Sequence, residues 1–297
     1  LDRREHAIPC DPGRIMFNTI LLPFYHCLPS AVELNVAQRI SDQAAGYLEG
    51  VFYPHVPAAV VNGGIMPHMG SPIDLTDADQ ALALEAKQLF VDLLSNLDIA
   101  HGSLDQAATG LRANFVEESG TGTQSIGERA RLFDISIVRR QENGAAHLWQ
   151  HAAEAVLFEG GRPLLLVGET VPERIGRNIV LAWNGSTEAA RSLMLGAPFL
   201  QQADQVSVLT VDGATVSGPS GAQVAAHLRN HGLSVTDERI KRGHWSAGAA
   251  ILNYAEEKGA DLLIKGAFTH SRLRQIIFGG ATREILREAR LPVMLCH

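Results

Sequence analysis

The chain has 297 residues, 46% of them apolar and 19% charged, enough for two domains of ordinary size around a substantial core. A net charge of −7 excludes the basic field that general nucleic-acid binding requires, and no apolar run reaches the about 18 residues of a membrane-spanning helix. Cys10, Cys27 and Cys296 follow no pairing pattern and no metal spacing, so a reducing cytoplasm is the expected setting.

Residues 1–15 are polar, contain Pro9 and Pro12, and lack the apolar centre of a signal peptide. They are expected to form a disordered extension ahead of Met16. Phe17 to Phe24 reads as a strand and Ala31 to Gln43 as the helix after it. Past a second strand, Val56 to Asp74 is rich in Gly, Pro and His, and Thr76/Asp77 then reads as the start of a helix running to about Asn96. Asp134 to Val138 is strand-like and leads into Arg139 to Gly144, a segment with a single glycine. Gly161 to Val167 ends this half, and Gly168 to Arg177 has the composition of a linker.

The order then repeats. Phe17 to Phe24 aligns with Gly176 to Trp183, at a spacing of 159 residues. Asp134 to Val138 aligns with Asp261 to Lys265, and Gly161 to Val167 with Arg290 to Leu295. The second half reads as strand 178–183, helix 187–200, strand 205–211, helix 219–231, strand 233–241, helix 246–258, strand 261–265, helix 281–289 and strand 292–296. Alternation of this kind predicts an α/β chain of two tandem Rossmann-like domains, 16–168 and 174–297, each a five-stranded parallel sheet with helices on both faces.

In such a sheet ligands sit beyond the carboxyl ends of the strands, where the strand order reverses. Asn184, Gly185 and Ser186 follow the first strand of the second half and fall at that crevice. Gly266 follows its fourth strand, and Gly279, Gly280 and Thr282 precede the next helix. Glycines between a strand and a helix let peptide N–H groups face an anion, and the helix N-terminus adds partial positive charge. Arg272 and Arg274 lie between the glycines and are candidate phosphate contacts. His147/His151 and His227/His231 have the i,i+4 spacing of some zinc sites but no evident third ligand, so no metal is expected.

The run from Asp261 to Arg283, with the Trp183-Asn184-Gly185-Ser186 turn, resembles the universal stress protein family. Nucleotide-binding members carry Gly-x2-Gly-x9-Gly followed by a small or hydroxyl residue, and an aspartate after the first strand. Gly266 and Gly279 fill the first and third glycine positions, while Thr269 replaces the second and Asn184 replaces the aspartate. In the first half Tyr25 stands at the aspartate position and no paired glycines follow the fourth strand, so that half reads as degenerate for nucleotide.

The resemblance implies a non-enzymatic, cytoplasmic stress-response module that self-associates as a dimer, has an unknown protein partner, and binds ATP or AMP in its C-terminal domain, with Mg²⁺ only alongside ATP. Asn184, Gly185 and Ser186 would meet the ribose and Val211 the base. Gly266, Thr269, His270, Arg272, Gly279, Gly280 and Thr282 would surround the phosphates. Weak ATP hydrolysis or autophosphorylation would be a by-product of binding. Two alternatives stand beside this reading: a nucleotide-free interaction or small-ligand scaffold on the same fold, favoured by Thr269 and Asn184, and an ATP-hydrolysing enzyme.

Overall fold

The computed structural model describes residues 17–53, 76–106, 109–118, 123–141, 148–267 and 280–297. The extension at 1–15, the Val56–Asp74 stretch, His147, Thr269, His270, Arg272, Arg274 and Gly279 lie outside the described residues.

In the first half, β1 (Thr19–Tyr25) leads to α1 (Ala31–Ile40), β2 (Tyr47–Tyr53) and α2 (Asp77–Asn96). Next come β3 (Ala100–His101), β4 (Arg112–Glu117), α3 (Thr123–Ala130), β5 (Ile135–Arg139), α4 (Leu148–Ala155) and β6 (Leu164–Val167). The second half contains β7 (Asn178–Ala182), α5 (Thr187–Leu195), α6 (Ala197–Leu200), β8 (Gln205–Val211), α7 (Gly221–Asn230) and β9 (Val235–Ile240). It ends with α8 (Ala247–Glu257), β10 (Leu262–Gly266), α9 (Ala281–Glu288) and β11 (Val293–Cys296).

The helix starts are chemically specified. Thr76 accepts from the Asp79 N–H at 3.2 Å while its own N–H donates to the Asp79 carboxylate at 3.0 Å, the reciprocal box expected of a Thr-x-x-Asp start. Ser186, Ser220 and Ser246 cap α5, α7 and α8 through their hydroxyls. The helix expected over 187–200 divides at Gly196. Pro198 has no N–H for the carbonyl four residues back, so the chain restarts as the short α6.

The eleven strands of the described residues lie in one sheet, in the order β3-β4-β2-β1-β5-β6-β11-β10-β7-β8-β9. Each half contributes the expected five parallel strands, and the first half adds the two-residue β3 at its edge. The halves meet where β6 pairs antiparallel with β11, Leu165 opposite Met294. Every other pairing in the sheet is parallel. The order therefore reads the same outward from the β6–β11 seam in both directions, β3 aside.

Equivalent residues do equivalent work in the two halves. The Asp134 carboxylate accepts from the N–H groups of Asn18 and Thr19, both at 2.9 Å. The Asp261 carboxylate accepts from Arg177 and Asn178 at 2.9 and 3.0 Å. Each clip ties the start of a half's fourth strand to the start of its first. One apolar cluster covers each sheet face, and both clusters run across the seam. Across the halves, the Phe17 and Phe199 rings lie 5.2 Å apart, and buried Arg140 donates to the Ala289 carbonyl at the end of α9.

Candidate ligand site at the carboxyl ends of the C-terminal strands

Strand order reverses in the second half between β7 and β10, because β7 continues outward to β8 while β10 continues inward to β11. A cavity of about 260 Å³ lies just beyond this point. Ala182 and Trp183 line it from the end of β7, Leu209 and Val211 from β8, and Lys265 and Gly266 from β10. Residues 213–216, Ala247 and Ile251 of α8, and Gly280 to Thr282 at the start of α9 complete the described wall.

The register explains this lining. Ala182 pairs with Leu209 on one side and with Lys265 on the other, so these three residues form one row across the sheet. Strand alternation puts the row on the same face as Val180 and Leu263, the face that carries the second apolar cluster. The cavity therefore has an apolar wall, formed by Ala182, Leu209, Val211 and Ile251, and a polar end at β10 and α9.

Five of the eleven residues proposed from sequence line this cavity: Asn184, Val211, Gly266, Gly280 and Thr282. Gly185 lines an adjoining cavity of about 250 Å³, which shares Trp183, Asn184, Thr215 and Val216 with the first. Ser186 is the N-cap of α5, accepting from the Ala189 N–H at 3.1 Å, and its own N–H donates to the Asn184 side-chain oxygen at 3.1 Å. Asn184 thus closes an Asx turn at the head of α5 while facing the cavity. Gly185 adopts φ +85, a conformation that favours glycine. Thr269, His270, Arg272 and Gly279 lie outside the described residues.

Gly266 has a packing reason of its own. A Cβ there would stand 2.4 Å from the Ala189 nitrogen in the first turn of α5. Close approach of that helix excludes any side chain, whether or not a ligand is present. At the end of β5, where the first half repeats this position, Arg139 instead pairs with Glu33 at 2.9 Å.

Sequence reasoning passed over Lys265, Trp183 and the 213–216 turn. The Trp183 indole donates to the Pro219 carbonyl at 2.7 Å and ties the segment after β8 to the cavity rim. Lys265 donates to the Gly266 carbonyl at 2.5 Å and to the buried Thr282 hydroxyl at 3.0 Å. Burial pulls its ammonium from 10.5 down to about 8, with Glu188 pulling in the opposite direction. Gly280 at the head of α9 has no side chain to cap that helix, and Gly280, Ala281 and Thr282 bring the positive end of the helix to the polar end of the cavity.

A wider cavity of about 570 Å³ lies at the opposite end of the strands, lined by 172–174, Asp204, Asp261 and Arg290 among others. It sits at the amino ends of β7, β8 and β10, away from the strand-order reversal. Among the described residues no group of three or more His, Cys, Asp or Glu could hold a metal ion. The His231 ring donates from Nδ1 to the His227 carbonyl, 2.9 Å away, at the end of α7. Desolvation pushes the Cys27 thiol up to about 12, with Glu33 adding to it, which opposes thiolate formation. No helix of the described residues is long and apolar enough to cross a membrane.

Residues 176–297 match the family model of the universal stress protein family. Over 120 residues the chain is 29% identical to universal stress protein Slr1230 of Synechocystis sp. (strain PCC 6803), an alignment covering 39% of this chain. It spans 41% of the length of that relative. A universal stress protein structure from Archaeoglobus fulgidus DSM 4304 superposes over 94% of this chain and 96% of its own, with a TM-score of 0.67 and 14% identity. A putative universal stress protein from Pseudomonas aeruginosa UCBPP-PA14 does so over 94% and 93%, with a TM-score of 0.51 and 14% identity. At that identity the two structures speak for the fold alone, and they do so across both halves. The family match falls on the half that holds the cavity: residues 176–297 are similar to the universal stress protein family, and the relative and the two solved structures are consistent with a UspA-like chain.

Proposed function

We propose that the C-terminal domain binds an adenine nucleotide in the cavity beyond β7, β8 and β10. The observation that carries this reading is the meeting of an apolar wall and an anion-favouring end in one cavity at the strand-order reversal. Val211, Leu209 and Ile251 would flank the base and Asn184 the ribose. The N-terminus of α9 and Lys265 would face the phosphates. Within this reading the chain is a cytoplasmic stress-response module in which occupancy biases an interaction surface, and no turnover is assigned to it. Mg²⁺ would arrive with ATP rather than on protein carboxylates, because no acidic side chain is among the described residues lining the cavity.

Residues 16–168 would form a first domain of the same architecture without a nucleotide site. Its position equivalent to Gly266 holds Arg139, ion-paired to Glu33 and donating to the Leu28 carbonyl. Self-association, if present, would need a surface other than the β11 edge, which is paired with β6 in the same chain.

The test is nucleotide content. Purified protein is denatured and released adenine nucleotides are counted per chain. ATP with Mg²⁺, and AMP, are then titrated into emptied protein by calorimetry. About one nucleotide per chain is expected, with binding lost in Ala214→Trp, which places an indole at the mouth of the cavity. Undiminished affinity in that variant would put the site elsewhere. No binding at millimolar ATP would favour the nucleotide-free scaffold, a reading already supported by Asn184 committing its side-chain oxygen to the Ser186 N–H.

A further inference from the structure

Of the described residues lining the cavity, Lys265 alone carries a charge. Its place is unusual for the strand it belongs to. β10 is otherwise Leu262, Leu263, Ile264 and Gly266, all buried, and Lys265 lies on the face that Leu263 and Ala267 share with the second apolar cluster. An apolar side chain there would complete the row begun by Leu209 and Ala182. A lysine at this position carries its ammonium to the polar end of the cavity, where the Thr282 hydroxyl receives one of its N–H groups at 3.0 Å.

Two features converge on this point. The positive end of α9, whose N-cap Gly280 has no side chain, lines the polar end of the cavity. The ammonium, with three N–H donors, makes two hydrogen bonds among the described residues, to Gly266 and Thr282. Glu188, the acidic group that acts on Lys265 electrostatically, stands at the start of α5 and does not line the cavity. A half-buried cation beside helix N–H groups, with no carboxylate in the wall, suits an anionic oxygen.

We infer that Lys265 is a charge-bearing phosphate contact of this pocket, so that the protein selects phosphorylated adenine compounds over adenosine and holds them without a divalent cation. The inference rests on the nucleotide reading above and adds to it the source of the phosphate affinity. Among the described residues the wall offers no carboxylate to hold Mg²⁺, and the ammonium supplies positive charge that a bound metal would otherwise bring. The Asn184 side chain, neutral at the ribose end, adds no repulsion to that charge.

The experiment compares ATP, AMP and adenosine in EDTA, by calorimetry, on the wild-type protein, Lys265→Met and Lys265→Arg. Wild type is expected to bind ATP in EDTA about as well as with Mg²⁺. Lys265→Met is expected to lose about tenfold or more for ATP and AMP while adenosine affinity stays level. Lys265→Arg, which keeps the charge, is expected to recover part of the loss. Equal binding of ATP by wild type and Lys265→Met would overturn the inference and leave the nucleotide site standing. Equal losses for adenosine and ATP would make Lys265 a structural clip on α9 and overturn it too. Failure of wild type to bind any of the three at millimolar concentration would remove both readings.

Discussion

At the residue scale, two cavity residues combine structural constraint with ligand chemistry, and stability measurements separate the roles. Gly266→Ala puts a methyl group 2.4 Å from the Ala189 backbone nitrogen. Because the obstacle is backbone, α5 has to move, and a cost of about 1–3 kcal/mol in urea unfolding is expected. A variant as stable as the wild type would mean that α5 shifts freely. For Lys265 the sign follows from its lowered folded value of about 8 against an ordinary 10.5. Below about 8 both folded and unfolded chains carry the charge, and folding has to bury it. Between about 8 and 10.5 the folded protein releases that proton first, so wild-type stability rises with pH relative to a variant without the amine. Lys265→Met is therefore expected to melt higher at pH 7, with the gap closing toward pH 10. A gap constant with pH would show that burial does not perturb this amine. Sequence placed Asn184, Val211, Gly280 and Thr282 at the cavity because strand ends and helix starts are marked by residue type. It passed over Lys265 because a charge at the end of a buried run reads as the strand's exit. Trp183 and residues 213–216 reach the cavity only through tertiary packing, which leaves no local signature.

At the element scale, the legible parts were those with their own chemistry. The long helix α2 was readable from Thr76 onward because its capping box is local, and Thr76→Ala is expected to cost about 1 kcal/mol, read as a shift in the urea midpoint with an unchanged slope. The internal repeat was readable because Asp134 and Asp261 recur at matching places, and each proves to clip two N–H groups. What the repeat did not disclose was how its copies meet. β6 and β11 are both short, apolar and buried on both faces, so their composition says that a neighbour exists and is silent on which one. Nor did spacing reveal the two-residue β3, whose pairing depends on β4 rather than on its own sequence.

At the scale of the whole molecule, the antiparallel β6–β11 seam does inside one chain what two separate single-domain copies would need association to achieve. Both apolar clusters cross it, and Arg140 of the first half reaches the Ala289 carbonyl of the second. The sheet's remaining edges are poor templates for pairing. β3 has two residues, and β9 presents Asp237, Glu238 and Arg239 along its length. The seam is thus the stretch of sheet whose loss would leave a fully apolar edge open. Residues 174–297 produced alone would expose the Val293–Cys296 edge with its buried face-to-face cluster. Such a fragment is expected to sediment at twice its own mass through β11–β11 pairing, a contact that β6 forestalls in the full chain. The antiparallel geometry at β6–β11 already suits an isologous contact, in which one edge meets its own copy across a two-fold axis. A fragment that stays monomeric at high micromolar concentration would show that the seam is held by Arg140 and the shared clusters rather than by strand pairing. In that case Arg140→Ala in the full chain, and not an edge substitution, would be the change that separates the halves.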